Sequence, residues 1–279
     1  MTATTLRLAL GLSVLISFVP ASAARAADAG VTTGLEAAPL VKGPRTVDVI
    51  LADIAHALGS DAAWKAHKNV RMKLEMTFQG MGISGAGERF ATNKDKSVVV
   101  TDLPGMGTIR EGSNGKVFWS QDPINGTRTL SGAEADQARL ESVWNPELRM
   151  RELYKSIEVA PTSPPGQECL VLTPSDAPPM TNCYDGKTHL QVSQKGTRST
   201  PQGDTPFSST LKDWREVGGL KMAFAVDTQA GPITFTARMT EVKFDVPIDE
   251  KMFDPPGGAG EAADKGAAGK AKGKAKPKK

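Results

Sequence analysis

One stretch, Asn69-Val70-Arg71-Met72-Lys73-Leu74-Glu75-Met76-Thr77-Phe78, limits most what this chain can fold into. Val70, Met72, Leu74, Met76 and Phe78 alternate with Arg71, Lys73, Glu75 and Thr77, a period of two that an extended strand satisfies and a helix does not. The charged side can face water, so the strand belongs in an antiparallel sheet with one wet face and one covered face. Two of the five covered residues are methionines, whose flexible thioethers suit an adaptable apolar surface. An ordinary sheet core and a ligand-lining surface are both open readings of that face.

The two ends read differently from the middle. Arg7 precedes an apolar run from Leu8 to Val19, followed by Pro20 and by Ala21-Ser22-Ala23 or Ala24-Arg25-Ala26 as cleavage sites, so residues 1–26 read as a signal peptide. No cysteine lies near the cleavage region to carry a lipid anchor, and no later segment approaches the ~20 apolar residues of a spanning helix. The expectation is a periplasmic protein, with secretion as the alternative. Residues 27–45 mix Gly, Thr, Pro and Ala without a period and read as a disordered linker. Residues 257–279 are Gly, Ala and Lys-rich with no large apolar side chain, which predicts a disordered tail. Its seven lysines against Glu261 and Asp264 give +5. Removing that, and the +2 of Arg7 and Arg25, from the chain's +3 leaves −4 for residues 27–256. The basic character therefore sits in the tail, which suits an anionic envelope surface or simply solubilises the end; nucleic acid is not an expected partner. Residues 46–256 remain as one domain with a sizeable core.

Within the domain, Thr46 or Asp48 can cap a helix whose stripe is Val47, Ile50, Leu51, Ile54 and Leu58, with Gly59 as its stop. Trp64 and His67 fall in a connector. Gly80-Met81-Gly82-Ile83-Ser84-Gly85 matches G-x-G-x-x-G, but a dinucleotide site needs a helix opening at the third glycine, and this run leads through Gly87 to Phe90 into a strand at 97–100. It reads as a glycine-softened hairpin. Further strands are predicted over 107–111, 116–120 and 127–130, punctuated by Ser113-Asn114-Gly115 and by Asp122-Pro123-Ile124-Asn125-Gly126. Ser131, with Glu134 as its capping-box partner, starts a helical stretch with apolar positions Leu140, Val143, Trp144, Leu148, Leu153, Tyr154 and Ile157, broken at Pro146. Strands follow over 189–194, 205–217, 221–228 and 233–244, and the parity slip from Met239 to Val242 predicts a bulge near Thr240. Helical pieces among long runs of strand make an α+β domain with helices on one face of the sheet.

Cys169 and Cys183 are the only cysteines. They fall on the arms of a hairpin around the 174–179 turn, in a register that sets the sulfurs opposite each other, and in an exported chain a disulfide is the leading reading. Two reduced thiols are the alternative, and a metal site has only His189 nearby to support it.

The order helix, meander, helix pair and returning strands resembles the LolA-like outer-membrane lipoprotein-sorting and lipoprotein-carrier proteins over about Val47 to Pro256. The likeness rests on Ala57-Leu58-Gly59, Asn114-Gly115-Lys116 with Trp119, and Cys183-Tyr184-Asp185-Gly186-Lys187-Thr188. It continues in Asp213-Trp214-Arg215-Glu216-Val217-Gly218-Gly219-Leu220-Lys221, Pro247-Ile248-Asp249 and Phe253-Asp254-Pro255. The resemblance implies a strongly curved antiparallel sheet, an open half-barrel, with helices covering its concave face and an apolar cavity between them that takes acyl chains of a lipid or lipoprotein. It nominates Met72, Leu74, Met76, Phe78, Val98, Val100, Ile109, Trp119, Phe224, Phe235 and Met239 as cavity lining. The lysine tail is no part of that family pattern.

No catalytic residue, metal or cofactor is expected. His56, His67 and His189 lie on separate elements and no G-x-S-x-G occurs. The expected function is a monomeric, non-covalent acyl-chain carrier, and the alternative is an envelope interaction module with a closed core and a binding tail.

Overall fold

The computed structural model describes residues 45–258. The signal peptide read over 1–26, nearly all of the 27–45 linker and nearly all of the 257–279 tail lie outside the described residues.

The chain opens with α1 (Val47–Leu58) and α2 (Asp61–Ala66) and then forms β1 (Asn69–Phe78), β2 (Ile83–Thr92), β3 (Ser97–Leu103), β4 (Gly107–Ser113), β5 (Phe118–Asp122) and β6 (Gly126–Thr129). After α3 (Gly132–Ser142), a 3-10 turn (Pro146–Arg149) and α4 (Met150–Leu153), it returns through β7 (Ser156–Val159), β8 (Gln167–Thr173), β9 (Met180–Asp185), β10 (Gln191–Thr200), β11 (Gly203–Val217), β12 (Leu220–Ala230) and β13 (Ile233–Phe244).

All of the strands among the described residues join one 13-stranded antiparallel sheet, ordered β6-β5-β4-β3-β2-β1-β13-β12-β11-β10-β9-β8-β7. The first half of the chain meanders outward from β1 to one edge. The α3–α4 segment carries the chain to the other edge, and the second half meanders back until β13 pairs with β1. The strand predicted first from the sequence thus sits at the middle of the sheet and holds its two halves together. The register of β1 against β13 steps from Lys73↔Glu241 to Leu74↔Met239, which leaves Thr240 as the extra residue of the expected bulge.

Two ties across the sheet reveal its curvature. Arg89 on β2 and Arg198 on β10 both bond Glu141 of α3. Five strand pairings separate β2 from β10, about 24 Å on a flat sheet at ~4.8 Å per pairing. One helix residue meets both strands because the sheet bends around α3 as an open half-barrel.

The concave face buries Val70, Met72, Leu74, Met76 and Phe78 with Leu103, Leu220, Met222, Phe235 and Met239, capped by Trp64 and Trp144, whose rings meet edge to face at 5.9 Å. Ile50, Ile54 and Leu58 of α1 bury against Leu170, Leu172 and Tyr184 toward the β7 edge. On the convex face Arg71, Glu88, Lys73, Glu241 and Lys243 form a cross-strand charge ladder. Farther along that face Phe253 packs on Val98 and Trp119.

Four local expectations are corrected. Trp64 is not in a connector but in α2, which Ser60 caps by accepting from Ala63 N–H. Ile157 lies on β7, because Tyr154 already ends α4 in extended backbone. The strand expected from Lys116 starts at Phe118, since Asn114 Oδ1 takes the N–H groups of Lys116 and Val117 into the turn. Ser131 makes no capping-box bond, because Glu134 is drawn instead to the Arg128 guanidinium by two hydrogen bonds of 2.7 and 2.8 Å.

Cys169 and Cys183 are direct partners across β8 and β9 and are joined as a disulfide. Reduction is expected to cost about 3 kcal/mol, the chain-entropy value for a loop of ~15 residues. Thermal melts with and without reductant check this: a lower melting temperature with an unchanged far-ultraviolet spectrum is the expected result, and identical melts would refute it.

Candidate functional site

The site is the space between α3, the 3-10 turn and the concave sheet. The α3 sequence, Gly-Ala-Glu-Ala-Asp-Gln-Ala-Arg-Leu-Glu-Ser, offers little apolar stripe, and Leu140 is its one deeply buried apolar side chain. Polar bonds hold it instead. Gln137 Nε2 donates to the Thr197 carbonyl at 3.0 Å and its Oε1 accepts from Ser199 N–H at 3.1 Å, so this side chain extends the hydrogen bonding of β10. Arg198 grips the Glu141 carboxylate at 2.6 Å, and Arg89 donates to the Glu141 carbonyl at 2.6 Å. Burial works against the Arg198 charge, but Glu141 and Glu111 outweigh it and hold the guanidinium above its usual range. Burial also weakens the charge on Arg89, against the pull of Glu141. Asp136 completes the attachment by accepting the N–H groups of Asp176 and Ala177 in the β8–β9 turn. Burial pushes its carboxyl up, but these amides and Arg139 bring it below the usual range.

The 3-10 turn is fixed from outside. Asp95, in the β2–β3 turn, accepts Trp144 N–H at 2.9 Å and the Arg149 guanidinium at 2.6 Å, so the segment between them turns Glu147 inward. Burial pushes the Glu147 carboxyl up to about 7. Tyr154, half-buried, and Tyr184, buried, are shifted upward by burial and then by Glu147.

Two small cavities lie under α3, of about 50 and 60 Å³, and Arg89, Gln137, Glu141 and Arg198 line both. Glu111, Arg128 and Glu134 add to the first; Glu147, Met150, Tyr154, Met180, Asn182, Gln194 and Phe207 add to the second. Each is far smaller than the roughly 300–1,000 Å³ of a typical small-molecule site.

The sequence-nominated lining residues divide. Met72, Leu74, Met76, Phe78, Ile109, Phe224, Phe235 and Met239 come together in one concave-face cluster, which lines neither cavity. Val98, Val100 and Trp119 do not join that cluster, although Trp119 does line the first cavity. The pairings Arg71↔Phe90, Phe90↔Val98, Val98↔Gly112 and Gly112↔Trp119 set Val98 and Trp119 on the same face as the charged side of β1. There Trp119 Nε1 donates to the Phe253 carbonyl at 2.8 Å, and Val100 packs in the same cluster. Sequence reasoning missed Arg89, Glu141, Glu147, Asn182, Gln194 and Arg198. The one available signal was parity: Arg89 pairs with Met72, so it stands on the covered face.

His67 is arranged for structure. His67 stacks on Phe244 with ring centroids 4.0 Å apart, its Nδ1 2.9 Å from Asp245 and its Nε2 3.0 Å from the Gly218 carbonyl, so both ring nitrogens are used. Among the described residues no group of three His, Cys, Asp or Glu side chains is set to hold a metal ion.

No family model and no curated protein matches this sequence. Solved structures do match. A DUF1329 family protein from Desulfovibrio piger aligns with a TM-score of 0.51 at 10% identity, over 75% of this chain and 97% of its own. A LolA superfamily protein from Nitrosomonas europaea aligns with a TM-score of 0.51 at 11% identity, over 75% of this chain and 98% of its own. The fold is LolA-like. Within this LolA-like sheet the helices lie on the concave side, and among the described residues no helix is long and apolar enough to cross a membrane.

Proposed function

We propose that this is an exported, periplasmic, non-enzymatic carrier that holds acyl chains of a lipid or lipoprotein between the concave sheet and the helices. The observation that carries this reading is the attachment of α3, which is held over the concave side of the sheet by ion pairs and hydrogen bonds at its two sides with little apolar packing of its own. Such a cover can swing away without exposing much apolar surface of its own, whereas the sheet beneath it gains a partner when a chain enters at about 0.8 kcal/mol per buried methylene. The small cavities mean that entry requires α3 and the 3-10 turn to move. The LolA-like fold supports the same reading by analogy.

A second reading, a closed envelope module, has its own support in the complete burial of Met72 and Met76. A fluorescent fatty-acyl probe separates the two. The carrier is expected to bind it saturably and to retain acyl ligands in native mass spectrometry of protein purified from the envelope; no uptake and a clean apoprotein would leave the module.

The lysine-rich tail is proposed to hold the protein near anionic headgroups. Truncation after Pro256 is expected to leave the melting temperature unchanged and to weaken adsorption to anionic vesicles most at low salt. Equal adsorption of the two forms would remove the tail from the function.

A further inference from the structure

The larger cavity under α3 has an imbalance in its polar atoms. Three of its donor groups are engaged: Arg198 Nη1 holds the Glu141 carboxylate, Arg89 Nη2 the Glu141 carbonyl, and Gln194 Nε2 reaches the Met180 sulfur. Two of its acceptors are not. Glu147 Oε2, on the 3-10 turn, and Asn182 Oδ1, on β9, have no hydrogen-bond partner, and each residue is only 6% exposed. Buried acceptors are normally satisfied, and leaving one unmade carries most of its desolvation cost. Here two such atoms come from elements far apart in sequence and line one cavity, whose remaining wall includes Leu140, Val143 and Phe207.

We propose that this cavity is the head-group subsite for a protonated primary amine borne on an apolar chain, with Glu147 Oε2 and Asn182 Oδ1 accepting its N–H groups. An ammonium group brings three donors and no acceptor, and its charge offsets that of a buried carboxylate. A carboxylate head would offer these two oxygens no donor and would add negative charge beside Glu141 and Glu147. A hydroxyl head could satisfy one acceptor, but above about pH 7 it would leave the ionised Glu147 without a counter-ion.

The surroundings of Glu147 favour such a guest. Tyr154, just past the end of α4, and Tyr184 of β9 face it and bring no positive charge. Arg149 of the same turn points away to Asp95 and Glu152, and α1 presents Ile50 and Ile54 to the Met150 cluster behind it. Across the cavity, Arg89 and Arg198 are drawn to Glu141. Burial holds the empty-site carboxyl protonated up to about pH 7. An arriving ammonium ion favours the ionised form, so binding releases a proton near neutrality, and amine affinity rises with pH through that range.

This inference rests on the carrier reading, because it names the head group of the chain carried. The test is displacement of a fluorescent acyl probe from the full chain by dodecylamine, dodecanol and dodecanoate, at pH 6 and pH 8. Dodecylamine is expected to displace the probe at concentrations at least about tenfold below dodecanoate at pH 8, with a smaller advantage at pH 6. Glu147→Gln is expected to abolish most of that advantage and its pH dependence; Asn182→Leu, which removes the second acceptor at similar volume, is expected to reduce it and carries the test alone if Glu147→Gln fails to fold. Probe binding with equal displacement by all three chains, or with preference for the acid or the alcohol, overturns the amine subsite and leaves the carrier. Wild-type protein that takes up no probe overturns both.

Discussion

Met76→Ala is expected to lower the unfolding free energy by about 2–5 kcal/mol, toward the upper end of that range. Met76 is fully buried, and its neighbours in register are Gly85 on β2 and Ala237 on β13. The thioether therefore fills space that its partners leave, and neither partner has side-chain atoms to move into the hole. Gly85 is closed from its other side, since a Cβ there would stand 2.5 Å from a Leu103 methyl. The lost transfer energy and the residual cavity then add. Met76→Lys is expected to prevent folding, because the ammonium group would have no counter-charge in that cluster. Glu75→Ala, one residue along and on the wet face, should shift stability by less than about 0.5 kcal/mol. Urea unfolding of the three variants checks the set. A Met76→Ala loss below about 1 kcal/mol would mean that the floor under the helices already contains an opening, and would shift the chain-binding space from α3 to the centre of the sheet.

That contrast shows what the sequence made legible. The alternation in β1 was readable because one of its faces is wet, so burial and polarity change together with each residue. The disulfide and the Thr240 bulge were readable for the same reason, since each follows from parity along a strand pair. The Val98-Val99-Val100 run gave no such signal, because both faces of β3 are covered near its start. Val98 lies under Phe253 on the convex side, while Val99 faces the cavity beneath α3. An apolar run covered on both faces has no period, and which valine faces inward is decided only by the register with β2. The interior charges were still less accessible. Glu141 meets Arg89 and Arg198 through contacts 52 and 57 residues away in sequence, and nothing in the local pattern of a polar helix says that it will lie across the mouth of a sheet.

Glu147→Gln is expected to stabilise the protein above neutral pH, by an amount that depends on pH. The folded carboxyl is raised by burial to about 7, against about 4.3 for an unfolded glutamate. The folded chain then holds a proton that the unfolded chain has released, so stability falls as pH rises through that interval and levels off above about 7. At about 1.4 kcal/mol per unit, the full span corresponds to roughly 3–4 kcal/mol. Asp136 and Asp245 act with the opposite sign. Their carboxyls are depressed, the first against burial by the Asp176 amide and Arg139, the second by the His67 hydrogen bond, so their contributions are lost only as pH falls below the ordinary carboxylate range. The two windows do not overlap. Glutamine stays neutral throughout, so denaturant unfolding at pH 5, 6.5 and 8 should find the variant ahead by only about 1 kcal/mol at the first and by roughly 3–4 kcal/mol at the last. A constant gap would mean that Glu147 keeps one protonation state across this range. It would then lack the free carboxyl on which both its instability and its attraction for a cation depend.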